Sequence, residues 1–267
     1  MTGAGDQAIS RPASSRWYLP TIVGLTVVIG ALVVYEFIDV ARSQWARDWA
    51  FGNGDLVGYL DGARRFVETG SPYLPEQIAG HWQLGPHSFI HPPPALVLMV
   101  PFLWLPAILW WVIPIAVTIG LIALWRPAPW TWPLIALCLL WPRSPGLILT
   151  GNTDLWATMF VALGCMFGWP FVLLAIKPTF APLALLAVRS RAFWIGVVVC
   201  AIAMVPFLGL WLQYIPVVRN TDVDATYSVL NLPLIAIPVI AWFGRTRFRR
   251  PAAGTVGTIV RWRSGTL

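Results

Sequence analysis

The stretch "GNGDLVGYLDGARRFVETG", residues 52–70, holds a carboxylate where a proton could be taken from a reacting group. Gly52, Asn53 and Gly54 read as a turn, Asp55 opens a helix, and Gly70 ends it. Leu56, Tyr59, Leu60, Ala63, Phe66 and Val67 recur at helical spacing and form one apolar stripe. Asp61, Arg64, Arg65 and Glu68 fall on the other side. A helix of this pattern lies in a membrane interface and does not cross it. Asp55 then sits at a helix N-terminus near the membrane surface. Two roles suit it there: capping the helix, which Asp does well, or acting as a general base toward an attacking hydroxyl. Spacing does not separate them.

Other polar residues stand out against apolar surroundings. Lys177 is the single lysine, inside an apolar region. A charge at mid-bilayer costs about 2.5–3.5 kcal/mol on insertion scales, so such a residue faces a cavity or a partner. It could contact a lipid phosphate, or snorkel to the cytoplasmic interface. Asn152 and Asp154 lie in "TGNTD" (150–154), where they could bind sugar hydroxyls or simply favour a turn. Arg64 and Arg65 could hold lipid headgroups or a donor phosphate. His81, His87 and His91 are spaced by six and four residues with no Cys nearby, and Pro86 and Pro92 argue against a regular helix there. This is a poor metal-ligand pattern, so no metal or other cofactor is indicated. His91 reads better as a polar group at the mouth of a pocket.

The elements that must position these residues are membrane-like. Of 267 residues, 58% are hydrophobic and 11% charged, against about a quarter charged in an average soluble domain. That composition excludes a disordered chain, a collagen-like chain, a disulfide scaffold and an ordinary soluble enzyme. It leaves an all-α, polytopic integral membrane protein. The net charge is +7. The arginines cluster at the ends of apolar runs and in the tail, so a nucleic-acid partner is not expected. Cys138, Cys165 and Cys200 sit in apolar runs and behave as small hydrophobes. Trp17, Trp104, Trp110, Trp111, Trp125, Trp130, Trp132 and Trp141 fall near expected span ends, where indoles anchor at the interface.

The charge-free runs define the order of elements. Residues 1–16 form a polar cytoplasmic tail, and Trp17–Tyr35 is long enough to span as a retained first helix. Residues 36–91 form an extracytoplasmic loop with seven of the eleven acidic residues. Pro92–Trp125 is 34 residues without a charge, about 51 Å as one helix. Pro101, Pro106 and Pro114 should divide it into a short helix near 93–105 and a span near 107–125. Further spans are expected near 130–149, 155–167, 192–218 and 225–244, within a single domain over 17–244, followed by a basic cytoplasmic tail over 245–267. The "RSR" at 189–191 and the basic tail both belong inside. That parity holds if 169–188 is a re-entrant pair of half-helices turning at Lys177-Pro178, giving about six full spans, with a full crossing as the alternative.

The blocks "GDLVGYLDGARRFVETGSPY" and "FIHPPPALVLMVPFLWLP" resemble the first loop and second span of family 87 glycosyltransferases. These belong to the multispanning glycosyltransferase C superfamily and include polyprenol-phosphate-mannose-dependent mannosyltransferases. The matching positions are Asp55, Tyr59, Ala63, Gly70 with Tyr73, Pro92 with Pro93, and Pro101 with Pro106. "TGNTDLWATMFVALG" is similar to the family's Gly-Gln-x-Asn segment, and "LLAIKPTFAPLALLAVRSR" to its Lys-Pro segment. His91 stands where Tyr is usual, and Asn152 where Gln is usual. The chain is shorter than typical members, as a truncated member would be.

The resemblance implies an inverting sugar transfer, most directly of mannose, from a polyprenyl-phosphate donor to a glycolipid or lipid-linked glycan acceptor. It would take place on the extracytoplasmic side of the cell membrane. Asp55 would be the base, with Tyr59, Arg64, His91, Asn152, Asp154 and Lys177 around the substrates, and Asp55 should look into a lipid-accessible hollow. A small transporter or lipid-flipping protein, or an inactive glycosyltransferase-like subunit, are the alternatives.

Overall fold

The computed structural model describes residues 15–45, 54–83, 85, 87–221 and 229–246. The expected Gly52-Asn53 turn and most of both tails lie outside these residues. Among the described residues the chain is all-helical, with two isolated β-bridges, Trp82 to Thr221 and Pro127 to Arg245. The order is α1 (Ser15–Trp45), α2 (Asp55–Thr69), α3 (Pro75–Ala79), α4 (Pro94–Met99), α5 (Leu109–Trp125), α6 (Thr131–Leu140), α7 (Ser144–Leu149) and α8 (Asp154–Phe167). Two 3-10 segments, Trp169–Ile176 and Pro178–Ala187, precede α9 (Arg191–Met204), α10 (Leu208–Asn220) and α11 (Leu232–Phe243).

Among the described residues two helices are long and apolar enough to cross a membrane. Tyr18–Ser43 has mean hydropathy 2.2 over 26 residues, and Arg191–Asn220 has 2.5 over 30, running through α9, a 3-10 turn at Pro206 and α10. Only 6% of each apolar window is buried within the protein. The core helix of a soluble protein would be covered, whereas these present their apolar surface outward, as a lipid-facing helix does. The remaining apolar helices run to 10–17 residues. Some are shorter than the spans read from the sequence because proline interrupts the run. The stretch expected as one span near 130–149, for example, is split at Trp141-Pro142-Arg143 into α6 and α7. Conversely, α1 continues ten residues past Tyr35, through Glu36 and Asp39, where a loop was expected.

Helix α8 is the centre of the fold. It is apolar nearly all round, and its residues from Asp154 to Ala162 are all buried, the pattern of a fully enclosed helix. It packs against α5, α11 and the first 3-10 segment. Gly168 ends it with φ of +79°, a backbone conformation that suits glycine.

From Gly168 the chain runs out to Lys177 and returns to Ser190. A methyl group on Gly168 would come 2.7 Å from Ser190 Oγ, so the two ends of the excursion meet. The segment is therefore a hairpin. Its limbs of eight and ten residues extend about 16 and 20 Å at the 3-10 rise of 2.0 Å per residue. The 14 residues of α8 extend about 21 Å at 1.5 Å per residue. The hairpin thus runs the length of α8 and brings its tip back to the helix N-terminus.

Helix α2 lies across the elements following His91. Leu56, Tyr59 and Ala63 are buried as expected, but Gly58 and Gly62 complete the covered face, and Val67 is exposed. The apolar face is covered by α4 and the 3-10 turn after it, so protein takes the place of lipid there. Three of the indoles expected at an interface are core residues instead. Trp110, Trp111 and Trp125 are buried, while Trp104, Trp130, Trp132 and Trp141 are exposed.

Candidate functional site

Asp55 is the first residue of α2 and half-buried. The helix N-terminus has no side-chain capping hydrogen bond, so capping is not its role here. Its Oδ2 instead accepts hydrogen bonds from Thr150 Oγ1 at 2.9 Å and Asn152 Nδ2 at 2.6 Å. Among the described residues its Oδ1 takes no hydrogen bond. The backbone reinforces the contact, with Leu56 N–H donating to Thr150 O at 3.4 Å.

The turn carrying Thr150 and Asn152 is held from α5. Trp110 Nε1 donates to Gly151 O at 2.6 Å, and Trp111 Nε1 donates to Ile148 O at 2.7 Å. Gly151 has φ of +73°, and a Cβ there would strike Trp111 at 2.7 Å, so the turn requires glycine on both counts. The buried indoles pair their only donors with the carbonyls of this turn, as buried Trp must.

Behind Asn152 lies an ionic core. Asn152 Oδ1 accepts from the Asp154 backbone N–H at 3.1 Å and from Lys177 Nζ at 3.3 Å. Lys177 Nζ also donates to Asp154 Oδ1 at 2.5 Å. Asp154 Oδ2 accepts from Asn231 Nδ2 at 2.7 Å, and Asn231 Oδ1 accepts from Arg143 at 3.3 Å. Lys177 is 3% exposed and Asp154 0%. Two carboxylates, Asp55 and Asp154, and two cations, Lys177 and Arg143, thus share one hydrogen-bonded chain with formal charges that cancel. A buried pair is tolerated when geometry and further hydrogen bonds complete it, as here.

These contacts tie up several of the residues expected around the substrates. Lys177 is neither snorkelling nor open to a phosphate but is closed upon Asp154. Asp154 is too deeply buried to meet a sugar. Asn152 keeps part of its surface exposed, yet both ends of its amide are already engaged. Tyr59 is buried beside His91, ring centroids 4.8 Å apart and nearly perpendicular, and lies 5.9 Å from the Trp110 ring. Burial above all, and then the charges of Asp55 and Asp154, push the Tyr59 phenol well up, so it stays protonated.

His91 is 3% exposed, lies behind the surface, and is held by Tyr73 Oη donating to its carbonyl at 2.9 Å. Burial first, and the nearby Lys177 charge second, lower its pKa to about 3, which leaves the ring neutral. Arg64 is not part of the cluster. It is exposed and pairs with Asp61 at 3.0 Å, one helical turn away. Arg65 instead clamps the carbonyls of Pro72 and His87. His87 Nδ1 meets Asp61 Oδ2 at 2.5 Å, and among the described residues no three or more of His, Cys, Asp or Glu come together as metal ligands would.

Thr150, Asn231, Arg143 and Trp110 are site residues that the sequence reading did not pick out. A cavity of about 240 Å³ lies at the opposite end of α8, lined by Cys165, Phe167, Gly168, Phe171, Ser190 and Trp242 among others. Asp55 does not line this cavity. Comparison with protein families, curated proteins and solved structures finds no match to this chain.

Proposed function

We propose that this protein is a multi-pass membrane glycosyltransferase. It moves a sugar, most directly mannose, from a polyprenyl-phosphate donor to a glycolipid or lipid-linked glycan acceptor on the extracytoplasmic face of the cell membrane. The observation that carries this reading is the Asp55 carboxylate. One oxygen is fixed by two donors, and the other is without a hydrogen-bond partner among the described residues. A general base needs that division: an oxygen that sets orientation and an oxygen that meets the proton. The acceptor hydroxyl gives its proton to Oδ1 while its oxygen attacks the anomeric carbon. The bond from that carbon to the phosphate oxygen breaks, and the lipid phosphate leaves with the electron pair. The anomeric centre inverts.

The helical fold and the two uncovered apolar helices support the membrane setting. The hairpin whose ends meet supports placing "RSR" on the same face as the C-terminus of α8, the cytoplasmic one by its charge. Asp55 then belongs to the other face, with α2 lying along the surface where two lipid-linked substrates present their head groups. Positioning of this kind supplies much of a transferase's rate. The neutral, fully paired Lys177–Asp154 core argues for a rigid support behind Asp55 and against a translocation path through that point.

The test is reconstitution of the purified chain in proteoliposomes with radiolabelled polyprenyl-phosphate mannose and a glycolipid acceptor. Label should pass to the acceptor. If it stays on the donor across polyprenyl-phosphate sugars and glycolipid acceptors, the reading is wrong.

A further inference from the structure

Asn231 precedes α11, 77 residues from Asp154 in sequence, and is 4% exposed. It lies inside the last uncharged run, 225–244. Its amide makes two contacts of opposite sense. It donates to Asp154 Oδ2 at 2.7 Å and accepts from Arg143 at 3.3 Å. Asp154 has two oxygens in use: Lys177 holds Oδ1 and Asn231 holds Oδ2. Lys177 Nζ in turn donates to the amide oxygen of Asn152, which also accepts from the Asp154 backbone N–H, and the Asn152 nitrogen holds Asp55. A chain of side chains therefore leads from the start of α11 to the reactive carboxylate without a gap.

We propose that Asn231 is a positioning residue for Asp55, acting through Asp154, Lys177 and Asn152. Its role in transfer rests on the reading of Asp55 as a base; the mechanical link does not. Removing the amide frees Asp154 Oδ2 in a buried site. The Asp154 carboxylate and Lys177 then shift, Asn152 loses its Lys177 contact, and the shorter hydrogen bond on Asp55 Oδ2 is displaced. A displacement of about 1 Å at a reacting group costs up to 100-fold in rate. Asn231 lies too deep to meet substrate, so donor affinity should not follow.

Two variants isolate the effect. Asn231→Ala removes both contacts. Asn231→Asp keeps the shape and gives Arg143 an ionic partner, but it replaces the donor to Asp154 with a like charge. The readouts are donor KM and kcat in proteoliposomes, and amide hydrogen exchange over residues 54–60 and 150–156. Both variants should lower kcat by 10-fold or more with KM within about 2-fold. Both should speed exchange in those two segments while leaving the hairpin base near Gly168 and Ser190 unchanged. Wild-type kcat in either variant, a loss confined to KM, or unchanged exchange overturns the proposal. If the wild type transfers no sugar but exchange quickens as stated, the link from Asn231 to Asp55 stands and the transferase reading falls. If Asn231→Ala does not fold, the isosteric Asn231→Asp carries the test alone.

Discussion

Asn152 and Asp55, 97 residues apart in sequence, are joined by a 2.6 Å hydrogen bond from amide nitrogen to carboxylate. The same side chain accepts from Lys177 through its oxygen. One amide therefore separates a buried ion pair from a half-exposed carboxylate, and passes the rigidity of the first to the second. Thr150 supplies the other donor to Asp55, and the paired indoles of α5 hold the turn on which both donors sit.

Orientation of Asp55 should depend on both donors. A hydrogen bond to a charged group contributes about 1.5–3 kcal/mol, which corresponds to about 10- to 100-fold in rate where that energy is lost from the transition state. Thr150→Val and Asn152→Ala should each lower kcat within that range. The double variant should fall short of the product of the two losses, because both act on one oxygen. Steady-state kinetics of the three variants measures this, and full additivity would show that the two donors act separately.

Breaking the Lys177–Asp154 pair should cost more stability than removing both of its charges. Lys177→Met alone leaves Asp154 buried and uncompensated, at a cost of about 3–5 kcal/mol. Asp154→Asn alone does the converse. Combining the two removes both charges and should recover most of the loss. Unfolding midpoints in detergent for the three variants and the wild type form the required cycle.

Acid should destabilise the protein through His91. Its folded pKa of about 3 lies below the ordinary 6.5. Between those values the unfolded chain takes the proton and the folded chain does not. Stability is therefore intact above 6.5 and falls with pH toward 3, by about 1.4 kcal/mol per pH unit for one group. From pH 6.5 to 5 this amounts to about 2 kcal/mol. His91→Gln should remove that share, measured as the difference in unfolding free energy between the two pH values.

The hairpin fixes which residues share a face. With Cys138, Cys165 and Cys200 replaced by Ala, Ser190→Cys should react with a membrane-impermeant maleimide only after permeabilisation. Glu76→Cys should react in intact cells. Labelling of Ser190→Cys from outside would reverse the orientation and remove Asp55 from the extracytoplasmic face.

Much of this site was legible because polar residues are rare in an apolar chain. Asp55, Asn152, Asp154 and Lys177 stood out individually, and charge parity alone pointed to a hairpin turning at Lys177. Their mutual pairing was not legible. Asp154 and Lys177 read as separate substrate contacts because nothing in their spacing shows a helix N-terminus meeting a hairpin tip. Thr150 was missed because an uncharged residue in a turn has an adequate local explanation, and Asn231 because it falls inside the uncharged run read as the last span. Trp110 and Trp111 sit near a helix end, as interfacial anchors do, yet their N–H groups serve buried carbonyls. In α2 the apolar letters marked the right face, but Gly58 and Gly62 were part of it, and a Cβ on Gly62 would strike the Phe89 ring.

The most direct measurement is sugar transfer by Asp55→Asn in proteoliposomes, beside the wild type. The amide keeps an oxygen able to accept from Thr150 and Asn152, so the variant should fold, retain its unfolding midpoint and bind the polyprenyl-phosphate donor. Without a base its turnover should drop by about 100- to 10,000-fold, the usual contribution of positioned proton transfer. A folded variant that transfers sugar at the wild-type rate would contradict the account at its centre.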